Sequence, residues 1–268
     1  MAYANERVNA LAFMRKFRGK TIVFIGDSLT RSWACTLKCA LGEYFKFKAA
    51  TLYSVPKYTY GFAAIQTPHP VSDVVIMFWH HLDTGAAPRW GGQGNAIKVI
   101  REGDVVILNV GGHLKDPVSL NGTLYKHFEL WQQNKKENSV FMYREESPSH
   151  FPSMRGTWTA DLDAKRARDK AQKKKPAVGL AVSICAHAPL DRTKALDSTI
   201  PEYYTYWVSR QFTRDNVIAT IDVWNVSNHA EVHPGGIDCL HICHDSDVLH
   251  VWNARLLNAY TNLKLNNS

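Results

Sequence analysis

Three residues of this chain could do nucleophilic chemistry together. Ser28 follows Gly26-Asp27 directly after the apolar run Thr21–Ile25 (TIVFI). A serine between a strand and a helix stands at a sheet edge, where the helix N-terminus stabilises negative charge developing beside it. Asp27 or Ser28 is equally suited to cap that helix. The other two residues lie in Ile237–Asn253, IDCLHICHDSDVLHVWN, where Asp238 and His241 form a D-x-x-H. A nucleophilic serine needs a base within hydrogen-bond reach, and the base needs a partner that fixes its tautomer. Asp238, three residues before His241, can be that partner. The pair precedes a terminal helical stretch that can fold it back over the sheet edge near Ser28. His244, His250, Cys239 and Cys243 lie in the same stretch and His229 and His233 just before it, so metal binding is the rival chemistry. Zinc sites usually show two tight ligand pairs, whereas here His241 lies between the two cysteines, and no metal is expected.

The elements that must position these residues follow from the apolar runs. Thr21–Ile25, Val74–Trp79, Asp104–Val110, Ser139–Arg144, Val178–Ile184 and Val217–Val223 read as strands. Ser28–Leu41, Leu120–Glu137, Glu202–Phe212 and Ser246–Leu263 read as helices, the second with an apolar face through Leu124, Phe128 and Trp131. Continuously apolar strands separated by helices imply a sheet covered on both faces. The expected fold is a single three-layer α/β/α domain over residues 1–268 with a central, mostly parallel sheet. No internal repeat or inter-domain linker is visible.

Composition narrows the class. The 268 residues carry a net charge of +8 and are 45 % hydrophobic, which excludes a disordered chain. No apolar run approaches the roughly 18–20 residues of a membrane span. Met1–Lys16 has no apolar core of the signal-peptide kind. About +5 of the charge lies in Asp163–Lys175 (DAKRARDKAQKKK), within a basic insertion at about 161–176. That stretch is a solvated insertion or a patch for a polyanion. No aromatics interleave its lysines, so no nucleic-acid partner is expected.

The blocks around these residues resemble the PC-esterase branch of the GDSL/SGNH hydrolase superfamily, most of all the plant-type trichome birefringence-like proteins, which include polysaccharide O-acetyltransferases. GDSLTRSW at Gly26–Trp33 is similar to that family's nucleophile block, and Phe78-Trp79 to its aromatic pair. DVVILNVGGH at Asp104–His113 resembles its Asn-x-Gly-His strand, and REESPSHF at Arg144–Phe151 its Arg-x-x-Ser-Pro-x-His-Phe segment. DCLHIC at Asp238–Cys243 with Trp252-Asn253 resembles its closing motif. The chain departs from the family where Ser32-Trp33 replaces Asn-Gln and Ile242 replaces a Trp. An extra Gly at 111–112 shifts His113, and the basic stretch has no counterpart.

The resemblance implies Ser28 as nucleophile, His241 as base then acid, and Asp238 as its orienter. It implies an oxyanion hole from the Ser28 backbone N–H, the Asn109 amide and a glycine, for which Gly61 is the candidate. Arg31, Arg144 and His150 would hold the substrate or brace the site. His113 joins them as a substrate-binding candidate, and Trp79 and Trp252 would stack on sugar rings or fill the core. Cys39, Cys185, Cys239 and Cys243 fall at or near the family's disulfide positions, leaving Cys35 over.

The activity implied is transfer of acetyl groups to hydroxyls of a cell-wall or surface polysaccharide. An acetyl esterase with the same triad is the alternative, and a non-catalytic glycan-binding module the third reading. No cofactor is expected. The acyl donor, such as acetyl-CoA or an acetylated intermediate, would be a co-substrate, and a membrane-bound acyl-donor protein a partner. Disulfides and the sequons at Asn121, Asn225 and Asn266 imply the secretory pathway, the Golgi lumen or the cell exterior, with the targeting segment outside this chain. The cytoplasm is the alternative.

Overall fold

Apolar strands that pair on both sides must bury both faces, and three of the expected runs (Thr21–Ile25, Asp104–Val110 and Ser139–Arg144) do so in the computed structural model, which describes residues 8–42, 48–50, 64–66, 74–80, 97, 99–110, 117–147, 201–228 and 247–265. In chain order the elements are α1 (Ala10–Lys16), β1 (Thr21–Gly26), α2 (Ser28–Gly42), β2 (Lys48–Ala50), β3 (Ala64–Gln66), β4 (Val75–His80), β5 (Val105–Leu108), α3 (Pro117–Asn134), β6 (Val140–Arg144), α4 (Pro201–Asp215), β7 (Ala219–Ile221), α5 (Trp224–Asn228) and α6 (Asp247–Leu265). Five strands form one sheet in the order β4-β1-β5-β6-β7. Every neighbouring pair is parallel. β2 and β3 form a separate antiparallel pair.

The alternation of side chains along each strand sorts the core into two layers. Ile22 and Phe24 of β1 join Val105, Ile107, Met142 and Ile221 on one face, under α1, α2 and α6. Val23 and Ile25 join Val106, Leu108, Phe141 and Tyr143 on the other, under Val99, Ile100, α3 and α4. This is the expected three-layer α/β/α arrangement, and the sheet is parallel throughout its described pairs.

Some elements differ from the sequence reading. The first helix, α1, was not expected. Asn9 caps it by accepting from the Ala12 N–H at 3.0 Å. Packing holds it in place: Phe17 meets Tyr260 of α6 with ring centroids 4.6 Å apart. The strand expected from Val217 begins only at Ala219, because Val217 has φ 53° and cannot be extended. It sits in the turn that closes α4, where the Ile218 N–H bonds back to Thr213 O at 2.8 Å. The hairpin β2–β3 and the short α5 were also not expected. The strand expected at Val178–Ile184 and the basic stretch Asp163–Lys175 lie outside the described residues. Among the described residues no helix is long and apolar enough to cross a membrane.

Strand order locates the crevice. After β1 the chain goes to β4 on one side, then crosses β1 to β5 and continues outward through β6 and β7. The direction reverses between β1 and β5. In open α/β sheets such a reversal leaves a crevice at the carboxyl ends of the two strands, and ligands bind there.

Candidate active site

Ser28 stands at that crevice because of the turn before it. Gly26 ends β1 and α2 begins at Ser28, with one residue between them. A Cβ on Gly26 would lie 2.6 Å from Thr30 Cβ and closer still to Thr30 Oγ1, so only glycine allows the helix to start this soon. Asp27 is the cap: its Oδ1 accepts from the N–H groups of Leu29 at 3.0 Å and Thr30 at 3.2 Å. Asp27 is fully buried, while Ser28 is half-exposed in the first helical position. The capping thus falls to Asp27, and Ser28 is left at the positive end of the helix dipole.

Asn109 leaves the neighbouring strand at the same level. Ile25 pairs with Leu108, and the Asn109 N–H donates to Ile25 O at 2.9 Å. The side chain is fully buried, and its Nδ2 donates to Arg144 O at 3.0 Å and to Glu146 Oε2 at 3.2 Å. Its Oδ1 has no hydrogen-bond partner among the described residues. A primary amide has two hydrogens, and here both are committed. Asn109, the expected oxyanion donor, thus stands just past the carboxyl end of β5 with its amide hydrogens on two other acceptors.

Arg144 and Trp252 fall on the structural side of the two readings each was given. Both side chains are 0 % exposed. The Arg144 guanidinium lies over the Trp252 ring, 4.7 Å from its centroid. Its Nη1 donates to Glu145 O at 3.1 Å, and a longer contact of 3.4 Å runs from Nη2 to Thr30 Oγ1. Trp252 presents its edge to Trp33 at 5.7 Å between centroids, and its Nε1 donates to Ser227 Oγ at 3.1 Å. With one face under a guanidinium and no exposed surface, Trp252 is core rather than a sugar platform. Arg144 braces the ends of β6, α2 and α6 from inside. Glu145 and Glu146 come next in the chain, both buried. The Glu145 Oε2 accepts from the Trp224 N–H at 3.2 Å, and Arg210 reaches its Oε1 at 3.8 Å. Burial, with Glu146 adding to it, pushes the Tyr143 hydroxyl far above the usual tyrosine range.

The closing helix is tied to the nucleophile's helix. Trp33 Nε1 donates to Asn253 Oδ1 at 2.8 Å across 220 residues of sequence. Trp33 also makes an edge contact with Phe24, at 4.9 Å between centroids. α6 therefore starts near the carboxyl edge of the sheet, beside Arg144, and runs toward Phe17 before the start of β1.

The remaining expected residues divide between described and undescribed parts of the chain. Arg31 is half-exposed, one turn after Ser28. The backbone of Trp79 pairs with Ile25 in β4. Cys35 and Cys39 are free thiols, the first half-buried and the second exposed on α2. Burial pushes the Cys35 thiol up, partly offset by the Arg31 charge. Gly61, His113, His150, Cys185, Asp238, Cys239, His241 and Cys243 lie outside the described residues. Sequence reasoning missed Glu146 and Asn253. Both sit inside blocks it had singled out, but their partners depend on which strands and helices become neighbours.

Comparison with known proteins bears on the first third of this arrangement. A search of the curated proteins finds no match. Residues 6–81 match the model of the PC-Esterase family, described as a GDSL/SGNH-like acyl-esterase family found in Pmr5 and Cas1p. The matched segment carries β1, the glycine turn, Ser28, α2 and β4.

Proposed function

We propose that the protein is a serine-dependent O-acyltransferase that moves acetyl groups to hydroxyls of a cell-wall or surface polysaccharide. The observation that carries this reading is the position of Ser28. It stands half-exposed at a helix N-terminus, at the reversal point of a parallel sheet, inside the segment that matches an acyl-esterase family. In the proposed reaction Ser28 Oγ attacks the acyl carbonyl and His241 takes its proton. The tetrahedral intermediate collapses, and the donor's leaving group departs with that proton. An acceptor hydroxyl then attacks the acyl-Ser28 ester, gives its proton to His241, and restores the serine. Asp238 orients the imidazole. The Ser28 N–H, the Asn109 amide and Gly61 are the proposed oxyanion donors.

Chain geometry supports His241 as the base. α6 begins near the sheet's carboxyl edge, and in the sequence His241 lies six residues before its first residue, Asp247. Acetyl-CoA or an acetylated intermediate, delivered by a membrane-bound partner, is the proposed donor system. The secretory pathway is the proposed location, supported by exposed sequon residues Asn121 and Asn225. The description of the matched family favours one second reading, an acetyl esterase that passes the acyl group to water.

The test follows labelled acetyl from a donor ester in the presence of a panel of glycans. Label on glycan, lost in Ser28→Ala, supports the transferase. Label found only as free acetate, with every acceptor supplied, overturns it in favour of the esterase.

A further inference from the structure

Asn109 is gripped by one short segment. Its Nδ2 donates to Arg144 O at 3.0 Å and to Glu146 Oε2 at 3.2 Å, and Asn109 and Glu146 are both buried. The amide cannot be turned the other way round. Both neighbours are oxygen atoms, and a carbonyl can only accept, so the nitrogen must face them. Oδ1 has no partner among the described residues, so none of them holds the rotamer from the oxygen side. Within the described structure, Arg144 and Glu146 alone orient the Asn109 amide.

The two bonds are not equivalent. Arg144 O belongs to the last residue of β6, held by the pairing of Arg144 with Ile221. Glu146 contributes a side-chain oxygen, beyond the strand end and at the longer distance. An oxyanion formed at Ser28 would need one of these two hydrogens, because the amide has no third. A carboxylate oxygen is itself a negatively charged acceptor, the same kind of group as the oxyanion. Resting on the acyl-transfer reading above, we propose that Glu146 is a positioning residue: it is the resting acceptor of the Asn109 amide and hands that N–H to the oxyanion when Ser28 attacks a carbonyl. Glu146 keeps the donor aimed and ordered, and its charge sets how much must be given up at the handover.

The handover predicts a sign. In Glu146→Gln the acceptor is neutral and of the same shape, so it competes less with the oxyanion. Charged hydrogen bonds are roughly twice as strong as neutral ones, which corresponds to a rise in kcat of about fivefold with KM unchanged. The experiment measures steady-state turnover of a chromogenic acetyl ester by wild type and Glu146→Gln, with the Asn109 side-chain amide protons followed by NMR. The result expected is a higher kcat, an unchanged KM, and an amide proton moved upfield as its charged acceptor is replaced. Glu146→Met, which removes the acceptor, should shift the same proton further. A kcat that falls or stays level in Glu146→Gln, or an amide proton that does not move, overturns the role of Glu146 while leaving the serine mechanism standing. A wild type that turns over no acyl ester overturns the serine mechanism, and the handover with it.

Discussion

The two faces of the sheet are built from different interactions. The face under α3 and α4 is aromatic: Phe212 meets Tyr125 at 5.2 Å and Phe128 at 5.8 Å, and Phe128 meets Phe141 at 5.3 Å. The face under α1, α2 and α6 is also apolar, but polar bonds run through it. Trp33 donates to Asn253, Trp252 to Ser227, and the Arg144 cation sits on Trp252. Aromatic packing is strong but weakly directional, so it secures the fold without fixing any atom to a fraction of an ångström. Buried hydrogen bonds between large side chains do fix geometry, because a misaligned one leaves a polar atom unpaired. The bonded face is the one on which α2 begins at Ser28 and α6 starts near Arg144. Stability and positioning are thus assigned to opposite sides of one sheet.

The largest expected effect is on the aromatic face. Phe212→Ala empties the centre of that cluster and should lower unfolding free energy by about 3–5 kcal/mol, read by urea titration. The kcat of the protein that remains folded should not change. A fall in kcat would show that the aromatic face also positions the site. On the bonded face, Trp33→Phe keeps the ring packing but strips Asn253 Oδ1 of its donor. It should cost about 1–3 kcal/mol, and unlike Phe212→Ala it should lower kcat with little change in KM. If both substitutions act on stability alone, the division between the faces fails.

Smaller effects refine the picture of the aromatic side. Val217 is 90 % exposed and holds φ 53°, a conformation that penalises a β-branched residue. Val217→Gly relieves it at the end of α4 and should stabilise the protein by about 1 kcal/mol, seen as a raised midpoint in thermal melting. His127 on α3 is buried, with Nδ1 bonded to Thr123 O at 2.8 Å. Burial lowers its pKa below the usual 6.5, so the folded chain keeps the ring neutral while the unfolded chain protonates. Its effect is absent above about pH 6.5, and stability falls as pH drops below that value. Urea midpoints from pH 7 down to pH 5 should therefore decline less in His127→Gln than in wild type.

Much of the fold is legible in the sequence because its central strands are buried on both sides. TIVFI, VVIMFW, DVVILNV and SVFMYR have no polar face to hide, and each becomes a strand at or near its expected bounds. The first helix was missed because it is two turns long, and its packing against Tyr260 depends on a partner some 240 residues away. The β7 boundary was misplaced because a valine does not advertise a positive φ. At the site, the glycine turn and the placement of Asn109 opposite β1 were legible, since each depends on one strand end. The grip of Arg144 and Glu146 on Asn109 was not, because it depends on β6 lying next to β5. Trp252 was open between core and sugar platform, and only the arrival of Arg144 over its face decides for core.

The central claim is that Ser28 carries the acyl group. Its most direct test is to quench the protein during turnover of an activated acetyl ester, digest it, and map the acetyl by mass spectrometry. The account predicts an acetyl adduct on Ser28, absent from Ser28→Ala, whose turnover falls by a factor of roughly a thousand or more. Turnover that survives in Ser28→Ala, or a trapped acetyl on another residue with Ser28 unmodified, would contradict it.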